Sequence, residues 1–114
     1  MLSIWERNNF TSYNYIIIGS GIVGLTTAYY LKKKNPNKSI LVLERGLIPT
    51  GASTKNAGFA CMGSLTEILD DLKTSTEQEV VDLFLLRKKG LSRLQSILGP
   101  ENMGYKANGS YELF

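Results

Sequence analysis

The stretch from Tyr15 to Ala28, YIIIGSGIVGLTTA, constrains this chain more than any other. A short apolar run with three isoleucines leads into the pattern Gly19-x-Gly21-x-x-Gly24, and apolar residues at helical spacing follow it. An apolar run bounded by glycine is typical of a strand that is buried on both faces of a parallel sheet. The stretch therefore predicts a strand, a tight turn and a helix, which is the unit that cradles the pyrophosphate of a dinucleotide.

The three glycines of this pattern have different physical roles. Gly19 allows the tight turn out of the strand, Gly21 lets the backbone approach the pyrophosphate, and Gly24 lets the helix pack closely on the sheet. The first-turn N–H groups and the positive end of the helix dipole then face the phosphates. Ser20 either adds a hydroxyl donor or is a bystander.

A second apolar strand is predicted from Ser39 to Glu44, after a helix that ends at the turn-forming segment 35–37. Glu44 lies twenty residues after Gly24, where a carboxylate accepts both hydroxyls of an adenosine ribose. Its charge disfavours the 2′-phosphate of NADP, although the neighbouring Arg45 weakens that argument. The pattern does not distinguish FAD from NAD, because both contain the adenosine diphosphate that it recognises.

Outside this unit the chain predicts an irregular aromatic arm and a helical second half. Residues 1–14 have no clear period, so we expect Trp5, Phe10 and Tyr13 to pack against the body. Helical spacing begins at Ser64, and a longer helix begins at the capping box Thr76-x-x-Glu79. This helix runs to the stop signal at residues 99–100.

Two glycines in the second half modify this prediction. Gly90 lies inside the longer helix, where it indicates a close helix contact or a bend. The closing segment Tyr105 to Phe114 predicts a strand with a turn or bulge at Gly109.

Composition excludes several classes of function. The net charge is +3, and the basic triplets at 32–34 and 87–89 fall on predicted solvated helix faces, so no nucleic acid partner is expected. One cysteine and no histidine exclude a disulfide framework, Ser-His-Asp catalysis and histidine metal sites, and we expect no metal. Without a secretory signal or an apolar run long enough to span a membrane, a cytoplasmic protein is expected.

The loop at residues 51–58, GASTKNAG, resembles the loop after the second strand in the D-amino-acid-oxidase-like family of FAD-dependent oxidoreductases. That family includes glycine, sarcosine and gamma-glutamylputrescine oxidases. The resemblance extends to the N-terminal WER, the core around the glycines, LVLERG, a helical pair and a closing GSYEL. It implies FAD as the cofactor and an α/β fold with a Rossmann-like FAD-binding βαβ unit, here an incomplete doubly wound fold.

Placed on this sequence, the resemblance implies that the pyrophosphate lies at the three glycines and Ser20, the adenosine ribose at Glu44, and the adenine beside Arg45. The loop residues expected to run past the pyrophosphate, ribityl chain and flavin are Ser53, Thr54, Lys55, Asn56, Ala57 and Gly58. Lys55 is read as a solvated side chain or as a charge that stabilises reduced flavin. Cys61 is read as a small buried hydrophobe, with a covalent flavin link or redox thiol as the alternative.

The expected organisation is an FAD-binding unit over residues 1–63, followed by a helical pair and the start of a substrate-domain sheet over 64–114. Because family members are longer, we expect the N-terminal part of a longer enzyme, inactive alone, or a sheet that a partner chain completes. The expected reaction oxidises the C–N bond of an amine or amino acid by hydride transfer to flavin, with no catalytic residue assigned. An NAD-dependent dehydrogenase and a non-catalytic FAD-binding fragment remain alternatives.

Overall fold

The computed structural model describes residues 1–113, apart from the side chain of Asn9. By its internal contacts the chain forms two compact units, the first comprising Met1–Ala57 and the second beginning at Gly58. In chain order the elements of the first unit are helix α1 (Ile4–Phe10), strand β1 (Tyr15–Ile18), helix α2 (Ile22–Lys34), strand β2 (Ile40–Leu43) and a short 3-10 helix (Ala52–Thr54).

The first unit contains the predicted βαβ arrangement. Strands β1 and β2 pair in parallel, with Tyr15 opposite Ile40 and Ile18 opposite Leu43. The amide of Gly19 continues the ladder beyond β1 by donating to the carbonyl oxygen of Leu43 at 2.7 Å. Since both strands run in the same direction, the residues that follow them lie side by side at one edge of the sheet.

The opposite end of the sheet is fastened by Asn14 and Ser39. The amide of Asn14 donates to Ser39 Oγ at 3.0 Å, and the amide of Ser39 donates to Asn14 Oδ1 at 3.1 Å. These two reciprocal hydrogen bonds hold the two segments of the chain together at the point where the strands begin. Together with the Gly19 amide at the other end, this pair of hydrogen bonds fixes the strand register on both sides of the paired residues.

Helix α2 packs very closely on the turn that precedes it. A Cβ atom added to Gly24 would lie 2.0 Å from the carbonyl oxygen of Gly19 and 3.4 Å from Ile17 Cγ2. The predicted role of Gly24 in close packing is confirmed. The helix ends at Lys34, where the amide of Asn35 donates to the Leu31 carbonyl oxygen at 2.8 Å, so the predicted stop is confirmed.

Burial of β1 differs from the prediction. Ile17 faces α2, whereas Ile16 is 58% exposed and Ile18 is 88% exposed. Successive side chains of a strand point to opposite faces, and α2 covers one of them. The prediction of a strand buried on both faces is wrong for the described residues, in which the other face of β1 is open.

The N-terminal segment is also different from the prediction. Residues 4–10 form α1, which begins at a capping box in which Ser3 Oγ accepts from the Glu6 amide and Glu6 accepts from the Ser3 amide. Trp5 is 74% exposed and Phe10 is 72% exposed, so these two aromatics do not pack against the body, whereas Tyr13 is half-buried. Ser-x-x-Glu is a helix-start signal that outweighed the irregular apolar pattern.

The second unit is built on helices α3 (Leu65–Asp71) and α4 (Glu77–Leu98). The predicted capping box at α4 is confirmed, because the Glu79 amide donates to Thr76 Oγ1 at 3.3 Å and Glu79 Oε2 accepts from the Thr76 amide at 2.9 Å. The helix ends before Gly99, whose φ of 80° lies in the left-handed region. Among the described residues, the buried side chain is Val80.

One further prediction for this unit is excluded in part, and another is wrong. A Cβ added to Gly90 would meet no atom within 4 Å, so the close helix contact, one of the two alternatives there, is absent from the described residues, while the bend stays a prediction. Residues 105–113 form no strand, and Phe114 lies outside the described residues. A strand needs a neighbouring strand for its backbone groups, and the described part of the second unit offers none.

No helix in the described residues is both long enough and apolar enough to cross a membrane.

A pair of glycine substitutions tests the packing of α2. Gly24→Ala forces a methyl group against the Gly19 carbonyl oxygen and should destabilise the fold by about 1–3 kcal/mol. Gly90→Ala is the matched control in open space, and should instead stabilise α4 by about 1 kcal/mol. Urea unfolding measures both changes, and equal stabilities for the two variants would contradict the close contact.

Candidate functional site

The glycine turn joins the end of β1 to the start of α2. Gly19 has a φ of 97°, in the left-handed region that favours glycine, so the predicted tight turn is confirmed. Gly21 is the N-cap of α2 and has no side chain to accept hydrogen bonds from the first helical turn. The turn thus brings the positive end of a 13-residue helix to the carboxyl edge of the sheet.

Glu44 directly follows β2 and lies beside this turn. Its Oε2 accepts from the Ser20 amide at 3.0 Å and from the Ser20 hydroxyl at 2.7 Å. Its Oε1 accepts from the amide of Arg45 at 3.0 Å and from the amide of Gly46 at 3.3 Å. The carboxylate therefore connects the glycine turn after β1 to the chain that leaves β2.

These hydrogen bonds lower the pKa of Glu44 to about 2. The Ser20 amide contributes most, followed by the Ser20 hydroxyl and the Gly46 amide, while desolvation opposes them. Donors to a carboxylate favour its charged form. Glu44 is therefore an ionised acceptor at neutral pH, as a ribose diol requires.

Ser53 lies at the start of α2, although it is far from that helix in sequence. The amide of Ile22 donates to Ser53 Oγ at 3.0 Å, so a loop hydroxyl caps the helix that Gly21 cannot cap. A Cβ added to Gly21 would lie 3.1 Å from the same oxygen, which is a tight contact. The missing side chain of Gly21 thus leaves room for the close approach of Ser53.

The loop after Ser53 is held largely by its own hydrogen bonds. The Thr54 hydroxyl lies 3.1 Å from the Pro49 carbonyl oxygen and 3.0 Å from that of Gly51. Asn56 Nδ2 donates to the Ser53 carbonyl oxygen at 2.9 Å. These contacts make a compact turn around the short 3-10 helix, with its small residues exposed.

The other predicted site residues are less closely associated with the turn. The side chains of Arg45 and Lys55 are exposed, and the Lys55 amide donates to the Ala52 carbonyl oxygen at 3.2 Å. Ala57 is the last residue of the first unit, and Gly58, with a φ of 78°, is the first residue of the second. Cys61 is exposed, so the interpretation of this residue as a small buried hydrophobe is wrong.

This arrangement suits the adenosine diphosphate part of a dinucleotide. A glycine turn at a helix N-terminus offers backbone N–H groups and a positive dipole to phosphates, and an ionised carboxylate beside it accepts from ribose hydroxyls. The structure brings together Gly19, Ser20, Gly21, Gly24, Glu44 and Ser53 at one edge of the sheet.

Comparison with known proteins decides the family. The family model described as FAD dependent oxidoreductase matches residues 14–114. The chain belongs to this family of FAD dependent oxidoreductases. FAD is accordingly the cofactor, and the resemblance seen in the glycine-rich loop and core is confirmed.

One relative is similar over a shorter stretch. The chain is 42% identical over 45 residues to sarcosine oxidase subunit beta of Arthrobacter sp, a match that covers 40% of this chain and 11% of that protein. The chain thus corresponds to a small part of the relative's length. No solved structure matches this oxidoreductase chain significantly.

Sequence reasoning missed the side-chain contacts that organise this candidate site. It did not predict that Ser20 donates twice to Glu44, that the Gly46 amide joins them, or that Ser53 caps α2. A glycine two positions after a carboxylate is a weak local signal for the Gly46 contact. The Ser53 contact joins residues 31 positions apart and has no local signal.

The lowered pKa of Glu44 predicts a defined acid dependence of stability. Because the folded-state pKa is about 2 and the ordinary value is 4.5, the contribution of Glu44 is fully present above pH 4.5. It is lost as the pH falls from 4.5 towards 2. Carboxyl-carbon NMR titration should give a midpoint near 2 for Glu44, and Ser20→Ala should raise it; a midpoint near 4.5 in the unmodified protein would contradict the network.

Proposed function

We propose that this chain is the FAD-binding part of an enzyme that oxidises the C–N bond of an amine or amino acid. The observation that carries the proposal is the glycine turn with its ionised Glu44, found in a chain of an FAD dependent oxidoreductase family. The local similarity to a protein named sarcosine oxidase subunit beta supports an amino-acid substrate, since sarcosine is an N-methylated amino acid.

In this proposal the adenosine diphosphate part of FAD binds along the turn. Gly19, Gly21 and Gly24, with the first turn of α2, hold the pyrophosphate by backbone N–H groups and the helix dipole. Glu44 accepts the hydrogen bonds of the adenosine ribose, and Arg45 lies beside the adenine. The fit rests on the absence of a side chain at Gly21 and on a carboxylate that remains charged at neutral pH.

The loop 53–58 follows the cofactor from the pyrophosphate towards the flavin. The Ser53 hydroxyl accepts from the Ile22 amide, which leaves its own proton to donate to a phosphate oxygen. Thr54 and Asn56 supply a hydroxyl and an amide, Ala57 and Gly58 allow a close backbone approach, and Lys55 is a charge near the flavin. The small exposed side chains of this loop permit such an approach.

FAD, when bound, supplies the electron-accepting chemistry, taking a hydride from the carbon that bears the amine. The residues of this chain bind and orient the cofactor, and no described residue is assigned to the substrate. We further propose that the first 63 residues form the FAD-binding unit and that residues 64–114 begin the substrate domain. The protein would act in the cytoplasm on a small-molecule amine, with self-association or pairing to the rest of a longer enzyme.

Visible absorption of the full-length protein that contains this chain tests this function directly. A flavin spectrum that is bleached by sarcosine or another amino acid under anaerobic conditions is the expected result. A flavin spectrum that no amine bleaches would favour a binding role without turnover. Absence of flavin together with NAD-dependent fluorescence would overturn the proposal in favour of a dehydrogenase.

Two valine substitutions test the placement of the cofactor. Gly21 and Gly51 both have extended backbone angles that valine adopts readily, with φ values of −70° and −79°. Gly21→Val fills the space beside Ser53 and the phosphates, so bound flavin should fall at least tenfold, measured by absorption per protein. Gly51→Val, in open space, should retain flavin. Equal flavin contents in two folded variants would show that the pyrophosphate lies elsewhere.

A further inference from the structure

The Ser20 side chain makes a contact that the proposed function does not use. Its hydroxyl donates to Glu44 Oε2 at 2.7 Å, and its amide donates to the same oxygen at 3.0 Å. The amides of Arg45 and Gly46 donate to the other oxygen. Since a carboxylate has about four lone-pair positions, these donors occupy its full capacity.

The four donors differ in their freedom to move. Three are backbone amides, whose positions are fixed by the glycine turn and by the chain that leaves β2. The fourth, the Ser20 hydroxyl, turns away by rotation about a single side-chain bond. A ribose hydroxyl that donates to Glu44 therefore displaces the Ser20 hydroxyl more easily than it displaces any of the three amides.

We propose that the Ser20 hydroxyl is an internal competitor of the nucleotide ribose for Glu44, and so sets how strongly the site favours ligands with ribose hydroxyls. This inference rests on the proposed placement of the adenosine ribose at Glu44. Ser20 is attached to the site and meets Glu44 at short range, so it competes more effectively than water does. The Ser20 amide, with the two loop amides, still orients the carboxylate when the hydroxyl moves away.

Removal of the hydroxyl should therefore strengthen ribose binding. In the full chain freed of bound nucleotide, Ser20→Ala should bind ADP roughly three- to tenfold more tightly than the unmodified protein, since a hydrogen bond to a charged acceptor no longer has to be exchanged. The affinity for 2′,3′-dideoxy-ADP, which lacks the competing hydroxyls, should change less than about twofold. Isothermal titration calorimetry with these two probes measures the difference.

Three control variants isolate the hydroxyl. Ser20→Thr keeps a hydroxyl at the same position and should bind ADP as the unmodified protein does. Thr27→Ala removes a hydroxyl of α2 that donates to the Val23 carbonyl oxygen at 2.7 Å, and should leave both affinities unchanged. Ser20→Gly removes the same group as Ser20→Ala and replaces it in the test if thermal unfolding shows that the alanine variant is not folded.

The outcomes separate this inference from the proposed function. Weaker or unchanged ADP binding by Ser20→Ala, or equal gains for the two nucleotides, overturns the role of Ser20 and leaves the cofactor site intact. Failure of the unmodified protein to bind ADP overturns the placement of the ribose and the role of Ser20 together. A gain confined to ADP supports both.

Discussion

The close contact between Gly24 and the carbonyl oxygen of Gly19 is the constraint on which the first unit depends. No side chain fits at position 24, since an added Cβ would lie 2.0 Å from that oxygen. This contact sets the distance between α2 and the end of β1, and so places the helix N-terminus at the carboxyl edge of the sheet. The parallel pairing of β1 with β2 then brings Glu44 to the same edge.

Glu44 turns this arrangement into a connected unit. The strand ladder alone joins β1 to β2 as far as the Gly19 amide and the Leu43 carbonyl oxygen. Beyond that point the carboxylate continues the connection, because it accepts from Ser20 on one side and from Arg45 and Gly46 on the other. Glu44, which we propose binds the ribose, is therefore also a structural link, and its low pKa follows from that structural role.

Local signals account for what the sequence could predict. The glycine pattern, the stop at residues 35–37 and the Thr76–Glu79 box each act within a few residues, and β1, α2 and α4 lie where they indicate. The incorrect predictions concern what surrounds a segment in the folded chain. Exposure of Ile16 and Ile18, and the missing strand at 105–113, depend on what covers a face or pairs with an edge, which an apolar run does not specify. Helix α1 was an exception, as its Ser3–Glu6 box was a readable local signal.

The same distinction between local signals and distant contacts explains which parts of the candidate site could be predicted. Backbone donors at the turn are predictable, because glycines at fixed spacing have few alternative uses, whereas Ser20 and Ser53 find partners 24 and 31 residues away. The loop around Ser53 satisfies its polar groups internally, through Thr54 and Asn56. Binding of a cofactor along this loop would then exchange existing hydrogen bonds, and would not have to order a free chain. A loop that is already hydrogen-bonded loses less conformational entropy on binding than a disordered loop does. The selectivity of such a site depends on which internal donors a ligand must displace.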